Sequence, residues 1–171
     1  MNNFKKNNDI RVRIAPSPTG YFHVGTARTA LFNYLFAKNL GGKFILRIED
    51  TDLERSEKKF ETNIFDGMRW LGLVADESPE IGGPYGPYRQ TERLDIYEKY
   101  INQLLADGLA YYCFCTKEDL EAEKQNQENL GLAPKYSGKC RAKNAKNGGQ
   151  VIRFMIPEEK ISFNDLIRGE I

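Results

Sequence analysis

The fold class follows from residues 11–48, which read RVRIAPSPTGYFHVGTARTALFNYLFAKNLGGKFILRI. Apolar residues alternate with arginines from Ile10 to Ile14, as in a short strand, and the prolines and glycine of residues 16–20 end that pattern. From Thr26 the apolar residues recur at helical spacing until Gly41 and Gly42, and a second apolar run covers residues 44–48. This order predicts a βαβ unit with parallel strands, and therefore an α/β fold with a ligand crevice at the strand ends.

The same periodicities divide the rest of the chain. We predict helices over residues 57–71, from Thr91 as N-cap to about Asp107, and from a Thr116–Asp119 capping box to about Leu130. Strands are predicted over residues 109–115 and 151–156, an exposed basic loop over 141–150, and a domain boundary within the glycine- and proline-rich residues 81–88. The apolar positions expected to be buried on the first and third helices are Ala27, Ala30, Leu31, Tyr34 and Leu35, and Leu94, Tyr97, Ile101, Leu104 and Leu105.

Composition excludes several classes of protein. The chain has 171 residues, 40% of them hydrophobic, which suffices for a packed core, and its formal net charge is +1. A net charge so close to zero gives no sign of nucleic-acid binding beyond local patches. Three cysteines, an odd number, favour a reducing compartment, and the polar start lacks a signal or transit peptide. We expect a cytoplasmic, monomeric protein without a membrane span.

His23 is the only histidine, and it lies in a short loop between a predicted strand and a predicted helix. The first turn of a helix has unpaired N–H groups and a partial positive charge, so it suits a phosphate. Gly25 would let a ligand approach the backbone, and the imidazole could donate to a phosphoryl oxygen. The alternative is that His23 is a surface or capping residue, because short motifs match by chance.

Longer blocks around His23 carry a family resemblance. Residues 11–20 followed by His-Val-Gly-Thr at 23–26 resemble the first signature of class I aminoacyl-tRNA synthetases, in the form typical of bacterial-type glutamyl-tRNA synthetases. Arg-Ile-Glu-Asp-Thr-Asp at 47–52 resembles the second block of that subfamily, and residues 82–93 resemble the third. The resemblance implies the first half of a Rossmann-type catalytic domain over residues 1–88. A mixed α+β insertion that binds the tRNA acceptor end would follow over residues 89–171.

The resemblance also implies roles for individual residues. Arg13 would bind the carboxylate of glutamate, and Ala15 and Ser17 would line the same pocket, while Glu49 would hold the α-amino group. The residues that would contact ATP are Ser17, Gly20, His23, Gly25 and Thr26, of which the last three would be catalytic. Without the resemblance, Arg13 is equally well a solvated strand residue, and residues 49–52 an acidic turn.

The implied reaction joins glutamate to the 3′ end of tRNA(Glu). The glutamate carboxylate attacks the α-phosphorus of ATP, which is accompanied by Mg²⁺, and the tRNA ribose then takes the glutamyl group. A second lysine-rich signature of the Lys-Met-Ser-Lys-Ser kind is not found in the 171 residues. We therefore expect an N-terminal fragment that is inactive alone.

Cys113 and Cys115, followed by Cys140, raise a zinc hypothesis. Structural zinc takes four ligands, mostly thiolates and imidazoles, and only three thiols exist here. In a shortened paralogue that the family includes, the fourth ligand is a tyrosine four residues before the last cysteine, and Tyr136 holds that position. Ala142 stands where other members have a histidine. The alternative is a group of ordinary buried thiols.

Two other functions stay open on the sequence. The paralogue attaches glutamate to the modified tRNA base queuosine rather than to the 3′ end. The other possible function is that of a non-catalytic module that binds the tRNA acceptor end. A set of basic residues would then contact phosphates, or it is simply solvated. That set is Lys135, Lys139, Arg141, Lys143 and Lys146.

Overall fold

The structure is a computed structural model that describes residues 10–143, 148–157 and 159–171. The chain divides into two compact units, the first ending at Tyr97 and the second beginning at Glu98. Secondary structure in the first unit consists of β1 (Arg11–Ile14), α1 (Val24–Leu40), β2 (Lys43–Leu46) and α2 (Lys58–Trp70), followed by a 3₁₀ turn at Thr91–Arg93. Helix α3 (Leu94–Ala106) begins in the first unit and ends in the second.

Strands β1 and β2 pair in parallel, with Arg11 opposite Lys43 and Ile14 opposite Leu46. Parallel neighbours need a crossover, and α1 supplies it, so the predicted βαβ unit is confirmed. Single parallel bridges from Ile45 to Glu77 and from Ile48 to Arg89 extend the pairing on the other side of β2. The first unit is therefore α/β with parallel strands.

Alternation along the strands gives the sheet one apolar and one cationic face. Val12, Ile14, Phe44 and Leu46 pack with residues of α1 and α2 in one core. Arginines of β1 point to the opposite face, because successive side chains of a strand point to opposite sides. The two helices therefore build the core, while the other face is left for polar contacts.

Helix α1 buries a narrower set of residues than its sequence predicts. Ala30 and Ala37 are fully buried, and Ala27 and Tyr34 are partly buried. The prediction was wrong for Leu31 and Leu35, which are 44% and 54% exposed. Apolar residues surround much of α1, so spacing alone did not identify the buried stripe, and the small alanines let the helix approach the sheet closely.

A partly buried ion pair lies at the edge of the first unit beyond β2. Arg11 donates from both terminal nitrogens to Glu77, at 2.6 and 2.7 Å, and Tyr88 donates its hydroxyl to the same carboxylate. The guanidinium of Arg11 also lies 4.3 Å from the centre of the Tyr85 ring. Gly83 has φ +151°, and a Cβ there would lie 2.4 Å from the Tyr88 hydroxyl, so glycine is required for this packing.

Thr91 is not the N-cap of a long helix, and that prediction was wrong. Its backbone N–H and its hydroxyl both donate to Asp50, at 3.0 and 2.7 Å, while α3 begins only at Leu94. Leu94 is exposed rather than buried, and the other four apolar positions predicted on this helix are only partly buried. The Asp50 contact ties the 3₁₀ turn to the residues that follow β2.

The second unit contains β3 (Ala110–Cys113), α4 (Lys117–Asn129), a 3₁₀ turn at Arg141–Lys143, β4 (Val151–Phe154), β5 (Asn164–Asp165) and β6 (Gly169–Glu170). Strand β3 pairs antiparallel with β4, and β5 with β6. The predicted capping box is present, with Thr116 accepting from the Asp119 N–H and Asp119 accepting from the Thr116 N–H. Within the described ranges, no helix combines the length and the apolar character needed to cross a bilayer.

Candidate functional site

The loop after β1 is fixed by hydrogen bonds from two neighbouring elements. The N–H of Glu49 donates to the Pro16 carbonyl, and the N–H of Glu57 donates to the Pro18 carbonyl, both at 3.0 Å. Further along, the Phe22 N–H donates to Asn63 on α2 at 2.8 Å. A loop held at three points presents its side chains in a fixed arrangement, as a binding site requires.

The seat of Phe22 depends on a glycine of α2. A Cβ at Gly67 would lie only 2.4 Å from the Phe22 ring, which leaves no room for any larger residue. Tyr21 packs edge-on against Phe60 at 5.1 Å between ring centres. The contacts of Phe22 and Tyr21 with α2 thus fix the position of the next residue, His23, just before α1.

His23 is the N-cap of α1. Its Nδ1 accepts from the Gly25 N–H at 3.2 Å, and its Nε2 lies 3.3 Å from the Thr26 hydroxyl. A Cβ at Gly25 would lie 3.0 Å from the imidazole, so the glycine makes room for this ring. The capping alternative for His23 is therefore correct as local structure, and it places the imidazole at the positive end of the helix.

A cavity of about 270 Å³ opens at this helix end. Four of the residues predicted to contact ATP line it, namely Ser17, Gly20, His23 and Thr26. Gly25 and Ala15 do not line it. The positive end of a helix, the hydroxyls of Ser17 and Thr26 and the imidazole of His23 suit a phosphate group.

The two residues predicted to bind an amino acid form an ion pair with each other. Arg13 Nη1 lies 2.9 Å from Glu49 Oε1, and the two side chains are 47% and 35% exposed. The N–H of Glu49 is the one that holds Pro16, so this pair and the phosphate-sized cavity are built on one loop. A guanidinium beside a carboxylate is complementary to a zwitterion, which carries one group of each sign.

Sequence reasoning missed two more arginines on the Arg13 face of the sheet. Arg47 and Arg93 line a cavity of about 210 Å³ together with Arg11 and Arg13. Arg47 donates to the Tyr97 hydroxyl and Arg93 to two backbone carbonyls, and each keeps a buried Nε without a hydrogen-bond partner. The alternation of strand residues could have placed Arg47 here, because it lies two residues beyond Ile45, the partner of Arg13 in the sheet.

These two arginines leave the face with a net positive charge. Arg11 and Arg13 have acidic partners, but neither Arg47 nor Arg93 forms a salt bridge within the part of the chain that the structure describes. Uncompensated positive charge beside Arg13 attracts a ligand whose own net charge is negative.

Residues 89–93 are held to α2 and to the residues after β2 by two carboxylates. Arg89 donates to Glu61 at 2.8 Å, and burial raises the pKa of Glu61 less than its contacts to Arg89 and Lys58 lower it. Burial likewise raises the pKa of Asp50, and the hydrogen bonds from Thr91 outweigh that effect and lower it. Both carboxylates therefore stay ionised at neutral pH and hold the segment that carries Arg93.

The three cysteines meet in the second unit. Their sulfurs all lie within 4.8 Å of one another, and those of Cys115 and Cys140 are 3.6 Å apart. The hydroxyl of Tyr136 lies 3.3 Å from the sulfur of Cys113 and 3.5 Å from that of Cys115. All three thiols are free and buried. Four donor atoms from distant positions in the chain thus converge on one point.

Their spacing fits a tetrahedral metal ion. Zinc–sulfur bonds of about 2.3 Å and zinc–oxygen bonds of about 2.0 Å would separate sulfurs by about 3.8 Å and sulfur from oxygen by about 3.5 Å. Arg153 lies 3.9 Å above the Tyr136 ring. Burial raises the pKa of the Cys113 thiol, but hydrogen bonds from Arg153 and Tyr136 outweigh it and lower that pKa to about 6. The donor set therefore fits zinc.

Of the predicted basic set, Lys135 is exposed, while two of the others are engaged within the unit. Lys139 lies 3.9 Å from Glu123, and Arg141 donates to the Ile156 carbonyl. Lys146 and the side chain of Lys143 lie outside the described residues. Lys139 and Arg141 therefore contact other residues of the unit in addition to contributing positive charge.

The chain is similar in sequence to a known protein family. Residues 9–171 match the family described as tRNA synthetases class I (E and Q), catalytic domain. The glutamate–tRNA ligase 1 of Caldicellulosiruptor saccharolyticus is 55% identical over 95% of the chain, and the glutamate–tRNA ligase of Bacillus subtilis is 53% identical over 96%. The chain covers 36% of each of those proteins.

Solved structures agree with the sequence relatives. A crystal structure of a glutamate tRNA ligase from Elizabethkingia meningosepticum, in complex with its amino acid, matches 95% of the chain with a TM-score of 0.83 and 43% identity. A glutamate–tRNA synthetase from Elizabethkingia anophelis matches with a TM-score of 0.84. The chain covers 36% of each, so it spans about a third of the length of the proteins it resembles.

Proposed function

Because this chain belongs to the class I tRNA synthetases for glutamate and glutamine, we propose that it forms the glutamate- and ATP-binding N-terminal part of a glutamate–tRNA ligase. The Arg13–Glu49 ion pair at the ends of two parallel strands carries this proposal. Ligands of open α/β sheets bind at the carboxyl ends of the strands, where this pair lies. Glutamate entering there finds a cation for its side-chain carboxylate and an anion for its ammonium group, while its α-carboxylate is left to react.

The proposed reaction needs positioning rather than a general base. The α-carboxylate of glutamate is ionised at neutral pH and attacks the α-phosphorus of ATP, which releases pyrophosphate and leaves glutamyl-adenylate. The terminal ribose hydroxyl of tRNA(Glu) then takes the glutamyl group and releases AMP. In this proposal Mg²⁺ accompanies ATP and neutralises its phosphates.

Each predicted site residue has a task in this scheme. Arg13 holds a substrate carboxylate, with Ala15 and Ser17 beside it, and Glu49 holds the amino group. Ser17, Gly20 and His23 line the cavity where phosphates would lie, and the Thr26 hydroxyl adds a donor there. Gly25 acts by leaving space for the imidazole.

The charge of the Arg13 face supports glutamate as the amino acid. Glutamate carries a net charge of −1 and glutamine carries none, and Arg47 and Arg93 supply positive charge that no described acidic residue balances. Charging of tRNA is preferred to modification of a tRNA base because the named relatives are glutamate–tRNA ligases.

Calorimetry with a non-hydrolysable glutamyl-adenylate analogue, beside its glutaminyl counterpart, tests the proposal. We expect the glutamyl analogue to bind this chain more tightly by on the order of 10-fold, since a charged ligand gains about 1–3 kcal/mol per charge-assisted hydrogen bond. Circular dichroism would first show that the chain is folded. Equal affinities, or no binding by the folded chain, would contradict the proposal that this chain alone forms the glutamate site.

We further propose that Cys113, Cys115, Tyr136 and Cys140 hold a structural zinc ion. Zinc would join the end of β3 to the loop that carries Tyr136 and Cys140, within the small core where these residues meet. The chain prepared with zinc should carry about one ion per molecule by mass spectrometry. Cys140→Ser should weaken binding by roughly 100-fold, because one of four ligands is lost, and Ser137→Ala should not. Zinc retained at full affinity by Cys140→Ser would refute the site.

The remaining expectations stay predictions. These are a functional boundary after residue 88, an acceptor-end-binding role for residues 89–171, a monomeric state, a cytoplasmic location and inactivity of this part alone. In the structure, residues 89–97 belong to the first compact unit through Arg89 and Thr91.

A further inference from the structure

Helix α4 has an unusual composition for a helix in a folded unit. It contains no buried residue, and most of its residues from Lys117 to Asn129 are polar. Only Leu120 packs on the thiol cluster. Packing of an apolar face does not explain why this helix lies against the rest of the unit, so its polar side chains have to be considered.

Gln127 makes a paired contact with the backbone of the loop that follows the helix. Its Nε2 donates to the Lys135 carbonyl at 2.8 Å, and its Oε1 accepts from the Lys135 N–H at 2.6 Å. The carboxamide therefore binds the loop as a neighbouring strand would, with one donor and one acceptor.

Glu123, one turn earlier on the same face, holds the other side of the same loop. Its Oε1 accepts from the Ser137 N–H at 2.6 Å, and its carboxylate also lies 3.9 Å from Lys139. Residues 135 and 137 are thus both fixed to α4, and Tyr136 is the residue between them. The N–H of Cys140 then donates to the Tyr136 hydroxyl at 3.2 Å.

We propose that Gln127 and Glu123 are positioning residues that present Tyr136 to the three thiols as the fourth ligand of the metal ion. The inference rests on the zinc site proposed above and extends it from the ligands to the helix that fixes them. A tyrosine can adopt several χ1 rotamers, and holding both neighbouring peptides limits the directions in which its ring can point. Arg153, 3.9 Å above the ring, restrains it further.

Cobalt(II) substitution tests the inference, because the visible bands of Co²⁺ report the ligands directly. Tyr136→Phe should change the spectrum and weaken Co²⁺ and Zn²⁺ binding. Gln127→Leu, which retains the tyrosine, should shift the spectrum in the same direction and weaken binding by about 10-fold, the range seen for groups that orient a ligand. Gln127→Glu keeps the acceptor for Lys135 and should fall between Gln127→Leu and the unchanged chain.

Gln125→Leu is the matched control, since Gln125 is exposed on the same helix two residues earlier. The double variant Gln127→Leu with Tyr136→Phe should bind the metal no more weakly than Tyr136→Phe alone. Both changes act on the same ligand, so once Tyr136 is lost Gln127 has nothing left to position. Additive losses, or a Gln127→Leu spectrum identical to that of the unchanged chain, would overturn the positioning role. Failure of the unchanged chain to bind Co²⁺ or Zn²⁺ would overturn the zinc site itself, which is a different result.

Discussion

Replacing Arg13 by alanine is expected to lower the affinity of this chain for the glutamyl-adenylate analogue by on the order of 100-fold. The guanidinium offers parallel donors to a planar carboxylate, and two charge-assisted hydrogen bonds together contribute about 3 kcal/mol. Arg13→Lys keeps the charge but loses the fork, so we expect an intermediate loss of about 10-fold. Isothermal calorimetry of the three proteins measures both effects.

The Arg13→Ala protein should remain as stable as the original. Its ion pair with Glu49 is about half exposed, and exposed pairs contribute between 0 and about 1 kcal/mol to stability. Arg69→Ala is the control for loss of an arginine from the first unit, because Arg69 pairs on the surface of α2 with Asp66 and Glu80. If Arg13→Ala bound the analogue as well as Arg69→Ala did, the assignment of Arg13 would be wrong.

The largest loss of stability is expected at Glu77. Its side chain is 6% exposed and accepts from both Arg11 and Tyr88, so Glu77→Ala leaves the buried Tyr88 hydroxyl and the partly buried Arg11 guanidinium without this acceptor. Breaking such a pair should lower the free energy of unfolding by about 3 kcal/mol. Glu80→Ala, three residues later and on the surface, should change it little. Urea titration of both variants against the unchanged chain would measure the difference.

The contribution of Glu77 should depend on pH in a defined direction. Hydrogen bonds from Arg11 lower the pKa of Glu77 below its model-peptide value of about 4.3. A lowered pKa in the folded state stabilises the protein above the unfolded pKa, and the effect is lost as the pH falls through the folded pKa. Glu77→Gln should therefore be less stable at pH 7, and the gap should narrow below about pH 4. A gap of constant size from pH 7 to pH 3 would show that the charge of Glu77 does not matter.

Much of the first unit could be predicted from local patterns. The alternation of residues 10–14 and the helix predicted over residues 57–71 correspond to β1 and α2 within one residue at each end. The capping box at Thr116 was identified because both of its partners lie three residues apart. Local signals succeeded where the contacts that fix an element lie within that element.

Long-range contacts explain the predictions that failed. Thr91 has the residue type of an N-cap, but Asp50, 41 residues earlier in the chain, takes its hydroxyl and its N–H. Leu31 and Leu35 have the right spacing for burial, but the sheet accepts the alanine stripe instead. In the site, Arg13 and Glu49 were assigned through a family pattern. Arg47 and Arg93 lie in the second and third blocks of that pattern but were given no role, and Gln127 lies in none, so these three were found only from their neighbours.

The cap formed by His23 limits which groups an anion could contact in the cavity at the start of α1. Gly25 does not line that cavity, and its N–H already has an internal acceptor, the imidazole nitrogen 3.2 Å away. An oxygen that took the Gly25 N–H would have to displace the ring from it, so cap and ligand would compete for one donor. An N-cap contact is worth about 1 kcal/mol, so this competition would lower the affinity for the anion by roughly fivefold. An anion held only by the groups that line the cavity would leave the cap, and the stability it gives the helix, in place.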